Sequence, residues 1–190
     1  LIRCAGGDGN VLLNVGPTPT GEIAPEQAGL LRRIGAWLKE NGESIYGTRG
    51  GPFKPGDYGV STRKDRTIYL HVLEWLGNSV TLPPLAARVV RARVLNGGEV
   101  AVRQTENALE MAVPPEHRKP LDTILALDLD RDALDLPAVD VPAPASLAAR
   151  AKATASNIYQ NQAQYGPDKA VDGDRETRWA TDSGTKTAWL

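Results

Sequence analysis

Between Ile68 and Leu129 the chain repeats a single pattern, with apolar residues at every second position in short runs separated by turn residues. Ile68, Leu70 and Val72 alternate with Tyr69 and His71, and Val90, Ala92 and Val94 alternate with Arg91 and Arg93. Val100 and Val102 alternate with Glu99 and Arg103; Leu109, Met111 and Val113 form another set, and Leu125, Leu127 and Leu129 a further one. A period of two places each set on one face of a strand. Short strands so spaced predict an antiparallel β-sandwich over 51–141. Gly77-Asn78 and Asn96-Gly97-Gly98 read as hairpin turns between these runs, and His71 falls on the polar face.

Upstream the rhythm changes. Leu1 to Ala5 reads as the tail of a helix ended by Gly6 and Gly7. Leu12, Leu13 and Val15, within GNVLLNVGP, form a continuous apolar run expected of a parallel strand buried on both faces. A helix is predicted from Pro25, a residue suited to the first helical position, with Glu26 in the first turn. Leu30, Leu31, Ile34, Trp37 and Leu38 mark its apolar face, and Asn41-Gly42 its end. Helix, strand, loop, helix is the order of a barrel or a doubly wound sheet. One such strand cannot close either, so the sequence reads as a fragment whose partner strands lie before Leu1. The helix is then expected to turn Leu31, Ile34 and Leu38 toward a partly missing core or the sandwich.

Residues 142–152, rich in Pro and Ala, read as a linker. Residues 153–190 are polar and aromatic, too few to bury a core of their own, and stop in a strand-like pattern at Trp189-Leu190. A net charge of −1 gives no electrostatic case for nucleic acid or an anionic membrane. No apolar run approaches a membrane span. The single cysteine, Cys4, excludes an intrachain disulfide and is expected to be a small buried hydrophobe.

Most candidate motifs dissolve on inspection. Gly6-Gly7-Asp8-Gly9 lacks the Lys-Ser/Thr of a phosphate loop. Asp128, Asp130 and Asp132 imitate the start of an EF-hand, but Ala133 and Val139 occupy the positions that need Gly and Glu. They are expected on the solvent face of a strand and its following turn. Two histidines, His71 and His117, with one cysteine assemble no usual zinc set, and no Ser-His-Asp grouping follows from spacing.

GNVLLNVGP, Gly21-Glu22-Ile23, the helix with Gly35, Trp37 and Leu38, and NGESIYGT from Asn41 together resemble the end of the catalytic barrel in family 29 glycoside hydrolases, the α-L-fucosidases. GPFKPGDYG from Gly51 and TLPPL from Thr81 resemble the β-sandwich that follows it. The resemblance implies the last strand and helix of a (β/α) barrel over 1–50, a secreted, periplasmic or lysosomal-type setting, and retaining hydrolysis of α-L-fucosides on fucosylated glycans. The two carboxyl groups of such a reaction stand roughly 5 Å apart and come from different strand ends. The end of this strand, Asn14 to Pro17, offers none. Asn14 is the one candidate substrate contact, against a role tying down its loop, and Glu22 is expected at the surface.

ATASN from Ala153, KAVDGDRETRWAT from Lys169 and Trp189-Leu190 resemble the start of a discoidin-like module of the factor V/VIII type, akin to family 32 carbohydrate-binding modules. The resemblance implies a truncated β-sandwich with an incomplete structural calcium site on the Lys169 carbonyl, Asp172, Asp174 and Thr177. Hard oxygen donors of this kind suit calcium. Trp179 and Trp189 are expected to pack in a core rather than stack on sugar. The whole reads as a multidomain fragment, the C-terminal part of an α-L-fucosidase without its catalytic carboxylates. The alternative is a non-catalytic carbohydrate-binding protein.

Overall fold

A computed structural model describes residues 1–75, 77–142, 148, 151–174 and 176–190. It divides into two compact units, Leu1–Pro142 and Ala143–Leu190. Most of the expected linker, 143–147 and 149–150, lies outside the described residues.

The larger unit is built on the alternating runs. Its strands are β1 Arg49–Gly50, β2 Gly59–Lys64, β3 Thr67–Val72, β4 Ser79–Leu82, β5 Val89–Val94, β6 Ala101–Gln104, β7 Leu109–Ala112 and β8 Thr123–Leu129. They form one sheet in the order β1-β2-β3-β8-β5 and another in the order β4-β7-β6, all paired antiparallel. Leu70 stands opposite Leu125, which stands opposite Val94. This row, with Ile68, Val72 and Leu127, meets Val80, Leu82, Leu109 and Met111 of the other sheet in one buried cluster. The sandwich reading therefore holds.

Three details of the pattern do not. Val90 was expected to share a face with Ala92 and Val94, yet it is exposed. The register slips between Val89 and Arg91, a bulge that sends Val89 toward the core instead. Gly77-Asn78 and Asn96-Gly97-Gly98 join strands of different sheets rather than closing hairpins. The hairpins turn at Asp65-Arg66, where Asp65 takes φ +49 without a glycine, and at Thr105–Ala108, where the Thr105 hydroxyl accepts from the Asn107 and Ala108 amides.

Both faces of β3 are buried. Its second face carries Tyr69 and His71, so His71 is fully buried rather than on a polar surface. The cover comes from the N-terminal segment. Helix α1, Ile2–Gly6, ends at Gly7, and an added Cβ on Gly6 would lie 2.3 Å from Val60 Cβ. Helix α2, Pro25–Asn41, leads into a 3-10 turn, Gly42–Ser44, and its Trp37 packs with Leu95 on Tyr69, Ile124 and Ala126. Leu31, Ile34 and Leu38 are half-buried. Beyond α1, Asp8 accepts from the Gly50 amide at 3.0 Å and from Arg49 Nη2 at 2.6 Å. Cys4, expected inside, is exposed on α1.

The expected strand at Val11–Val15 is absent. No strand pairs with these residues among those described, and Leu12 is 89% and Leu13 56% exposed. A continuous apolar run becomes a buried strand only when neighbours supply its ladder and both covering layers. Among the described residues none does.

Residues 151–190 hold 3-10 turns at Tyr159–Asn161, Ala163–Tyr165 and Pro167–Ala170, and no strand among the described residues. The strands of the truncated β-sandwich expected here are not present among the described residues. Trp179 is half-buried and donates to the Asn157 carbonyl at 2.8 Å, but Trp189 is 60% exposed. Without a sheet, so short a segment has no interior for both rings.

Gly6→Ala tests the cover. The new methyl meets Val60 on a strand that cannot move, so unfolding stability should fall by about 1–3 kcal/mol. Val60→Ala in the same chain should restore part of it, as read by denaturant midpoints.

Candidate functional site

The loop 169–177 brings together all four residues expected to hold a metal. Thr177 Oγ1 lies 3.3 Å from the Lys169 carbonyl, 2.8 and 3.0 Å from the two Asp172 carboxylate oxygens, and 3.0 Å from the Asp174 carbonyl. Local geometry explains the gathering. The 3-10 turn Pro167–Ala170 presents the Lys169 carbonyl, Gly173 takes φ +80, and Asp172 Oδ1 accepts from the Asp174 amide at 3.0 Å. Asp174 Oδ1 is turned back to accept from the Glu176 amide at 2.9 Å.

The donor set is all oxygen, from a carboxylate, two carbonyls and a hydroxyl, which fits calcium chemistry. It is also incomplete. Among the described residues no group of three or more His, Cys, Asp or Glu side chains is placed to hold a metal ion. Lys169 Nζ stands 3.8 Å from Asp172 Oδ2 and 3.1 Å from Asp168 Oδ2. The Asp174 amide and the Thr177 hydroxyl hold the Asp172 carboxyl below its ordinary range.

Asn14 belongs to the larger unit. It is exposed and makes no hydrogen bond among the described residues, so it does not tie down the loop after it. Glu22 is exposed as expected, its amide donating to Thr18 Oγ1. The three aspartates read as strand face and turn behave so. Asp128 accepts from Thr67 and pairs with Arg93, Asp130 caps the Arg88 amide, and Asp132 accepts from the Leu134 amide.

One grouping the sequence did not reveal is Thr62, His71 and Asp122. His71 Nδ1 lies 2.7 Å from Asp122 Oδ2 and Nε2 lies 3.5 Å from Thr62 Oγ1. The order imitates a hydrolytic triad, but the His71 and Asp122 side chains are 0% exposed, and the Thr62 hydroxyl donates to the Ser44 carbonyl at 2.6 Å. No substrate reaches it. Elsewhere, a groove of about 360 Å³ over α2, lined by Leu30, Ile34, Trp37 and Leu121, is mainly apolar.

Comparison with known proteins places this geometry in context. Residues 1–43 match the alpha-L-fucosidase family. The chain's sequence relatives carry the same name. It is 35% identical over 80 residues to human plasma alpha-L-fucosidase, covering 40% of this chain and 17% of that protein. It is 40% identical over 72 residues to the alpha-L-fucosidase of Branchiostoma floridae, covering 35% of this chain and 16% of that one. Among solved structures it resembles alpha-L-fucosidase isoenzyme 1 from Paenibacillus thiaminolyticus, with a TM-score of 0.60 and 32% identity over 67% of this chain and 32% of the other. The chain thus spans less than a third of the lengths of these α-L-fucosidase homologues.

Thr177→Val removes the hydroxyl that Asp172 accepts from. The Asp172 carboxyl should then titrate closer to its ordinary range, as read by carboxyl carbon shifts in NMR. In the unaltered chain the loop's hydrogen bonds should hold at neutral pH and be lost as pH falls through the lowered value.

Proposed function

We propose that this chain is the C-terminal part of an enzyme that hydrolyses terminal α-L-fucose from glycans, with retention of configuration, in a secreted, periplasmic or lysosomal-type compartment. The observation that carries the reading is agreement between two kinds of likeness. Sequence relatives named α-L-fucosidase and a 32%-identical solved fucosidase with the same fold converge on one family.

In that reading the segment 1–50 belongs to the catalytic barrel, and Leu12, Leu13 and Val15 are its last strand, waiting for partner strands. Asn14 then reaches the substrate side of that strand. The sandwich is the structural companion of the barrel. Residues 153–190 begin a discoidin-like module that serves glycan binding, and Lys169, Asp172, Asp174 and Thr177 are part of its calcium site. The carboxylates that attack the sugar and protonate the leaving oxygen lie on other strands.

The full-length protein should release fucose from an aryl α-L-fucoside with retention. Leu1–Leu190 alone should match the buffer blank, because no pair of carboxyl groups among its described residues flanks a sugar site. Turnover by the purified chain, surviving removal of contaminating fucosidase, would overturn the placement of the catalytic residues.

The metal reading has its own test. In the protein carrying the complete module, calcium should raise the melting temperature and Asp172→Ala should abolish the rise. Identical melting with calcium and with chelator would show that these residues hold no calcium.

A further inference from the structure

The buried pair His71–Asp122 has a proton inventory that its hydrogen bonds dictate. The Thr62 hydroxyl has one hydrogen, committed to the Ser44 carbonyl at 2.6 Å. Its oxygen therefore offers His71 Nε2, 3.5 Å away, only lone pairs, which a hydrogen on Nε2 would meet. At 2.7 Å the contact between Nδ1 and Asp122 Oδ2 needs a hydrogen too. An imidazole with a hydrogen on Nε2 and a bridging hydrogen to the carboxyl amounts to one proton more than a neutral histidine beside an ionised aspartate.

Charge leads to the same count. Both side chains are 0% exposed, and a lone buried carboxylate is expensive. The pair with its extra proton is neutral. Asp122 Oδ1 has no hydrogen-bond partner among the described residues, so an ionised carboxylate would be poorly held there.

We propose that Asp122 and His71 form a proton-loaded latch, which fastens the N-terminal cover to the sandwich in mildly acidic medium and loosens as its proton is withdrawn. The pair itself lies within one sheet, and Thr62 links it across the seam. His71 lies on β3, Asp122 just before β8, and Thr62 on β2 reaches the 3-10 turn that continues α2. Other charges near the seam are occupied among themselves. Glu43 of the 3-10 turn pairs with Arg93 of β5, which also pairs with Asp128 of β8, while Lys39 and Glu40 of α2 are exposed. Besides burial, the influences on Asp122 come from His71 alone.

The direction with pH follows from proton counting. In an unfolded chain the carboxyl empties near pH ~4 and the imidazole near pH ~6.5. Above that, the unfolded pair holds no proton and the folded pair holds one, so stability falls as pH rises. Below pH ~4 the unfolded pair holds two and stability falls again. Burial, the larger influence, raises the Asp122 carboxyl above its ordinary value, against the pull of His71. Its stabilising effect is accordingly present in mildly acidic medium and lost as pH rises through the raised value.

Proton NMR on the nitrogen-15-labelled chain tests this directly, with His117→Gln leaving His71 as the single imidazole. At pH 6 the spectrum should show a hydrogen on Nε2 and a slowly exchanging, far-downfield hydrogen between Nδ1 and Asp122. A bare nitrogen at either position beside an ionised carboxylate would overturn the proposal. Above pH ~6.5, over the range in which the folded pair keeps its proton, the melting temperature should fall by about 3–5 °C per unit from this pair. Asp122→Asn supplies an N–H in place of the carboxyl hydrogen and should flatten that slope. An unchanged slope would also overturn the latch, and if the variant does not fold, the spectrum of the unsubstituted pair decides.

Discussion

The larger unit depends on burying β3 and β8 from both sides. Their inner faces meet the second sheet through Leu70, Leu125 and Leu127, and their outer faces meet Trp37 through Tyr69, Ile124 and Ala126. A sheet covered on one side tolerates polar residues on the other; one covered on both does not. Polar side chains carried on the second face are therefore driven to partner one another inside the protein. His71, Asp122, Thr62 and Ser44 form a connected set for that reason, and their conflict between burial and charge is resolved by a proton.

The same constraint separates what was legible in the sequence from what was not. Alternation reports one apolar face, and it located β3, β5, β7 and β8. It says nothing about what covers the other face, so it assigns His71 to the polar face without showing that this face is buried. The bulge at Val89–Arg91 defeats a period-two count by shifting one residue, and nothing in Val89-Val90-Arg91 announces it. Turn chemistry misled in a related way. Glycines at Gly77 and Gly97–Gly98 mark a reversal of the chain but not whether it stays in the same sheet. Asp65 turns a hairpin in the left-handed region, a role that aspartate fills less often than glycine.

The N-terminal segment illustrates a limit of another kind. Helices α1 and α2 were legible because capping and a 3.6-residue period are local. The run at Leu12 to Val15 was not, because a parallel strand exists only through its neighbours. In the loop that the discoidin-like resemblance singled out, by contrast, Lys169, Asp172 and Asp174 do gather around the Thr177 hydroxyl, since a tight turn needs no distant partner.

Amide hydrogen exchange tests the claim of a doubly covered central pair most directly. Tyr69–Val72 and Ile124–Leu127 should exchange only through global unfolding, while Val11–Val15 should exchange as fast as an open chain. Protection at Val11–Val15 equal to that of β8, or rapid exchange at His71 and Ile124, would contradict the account.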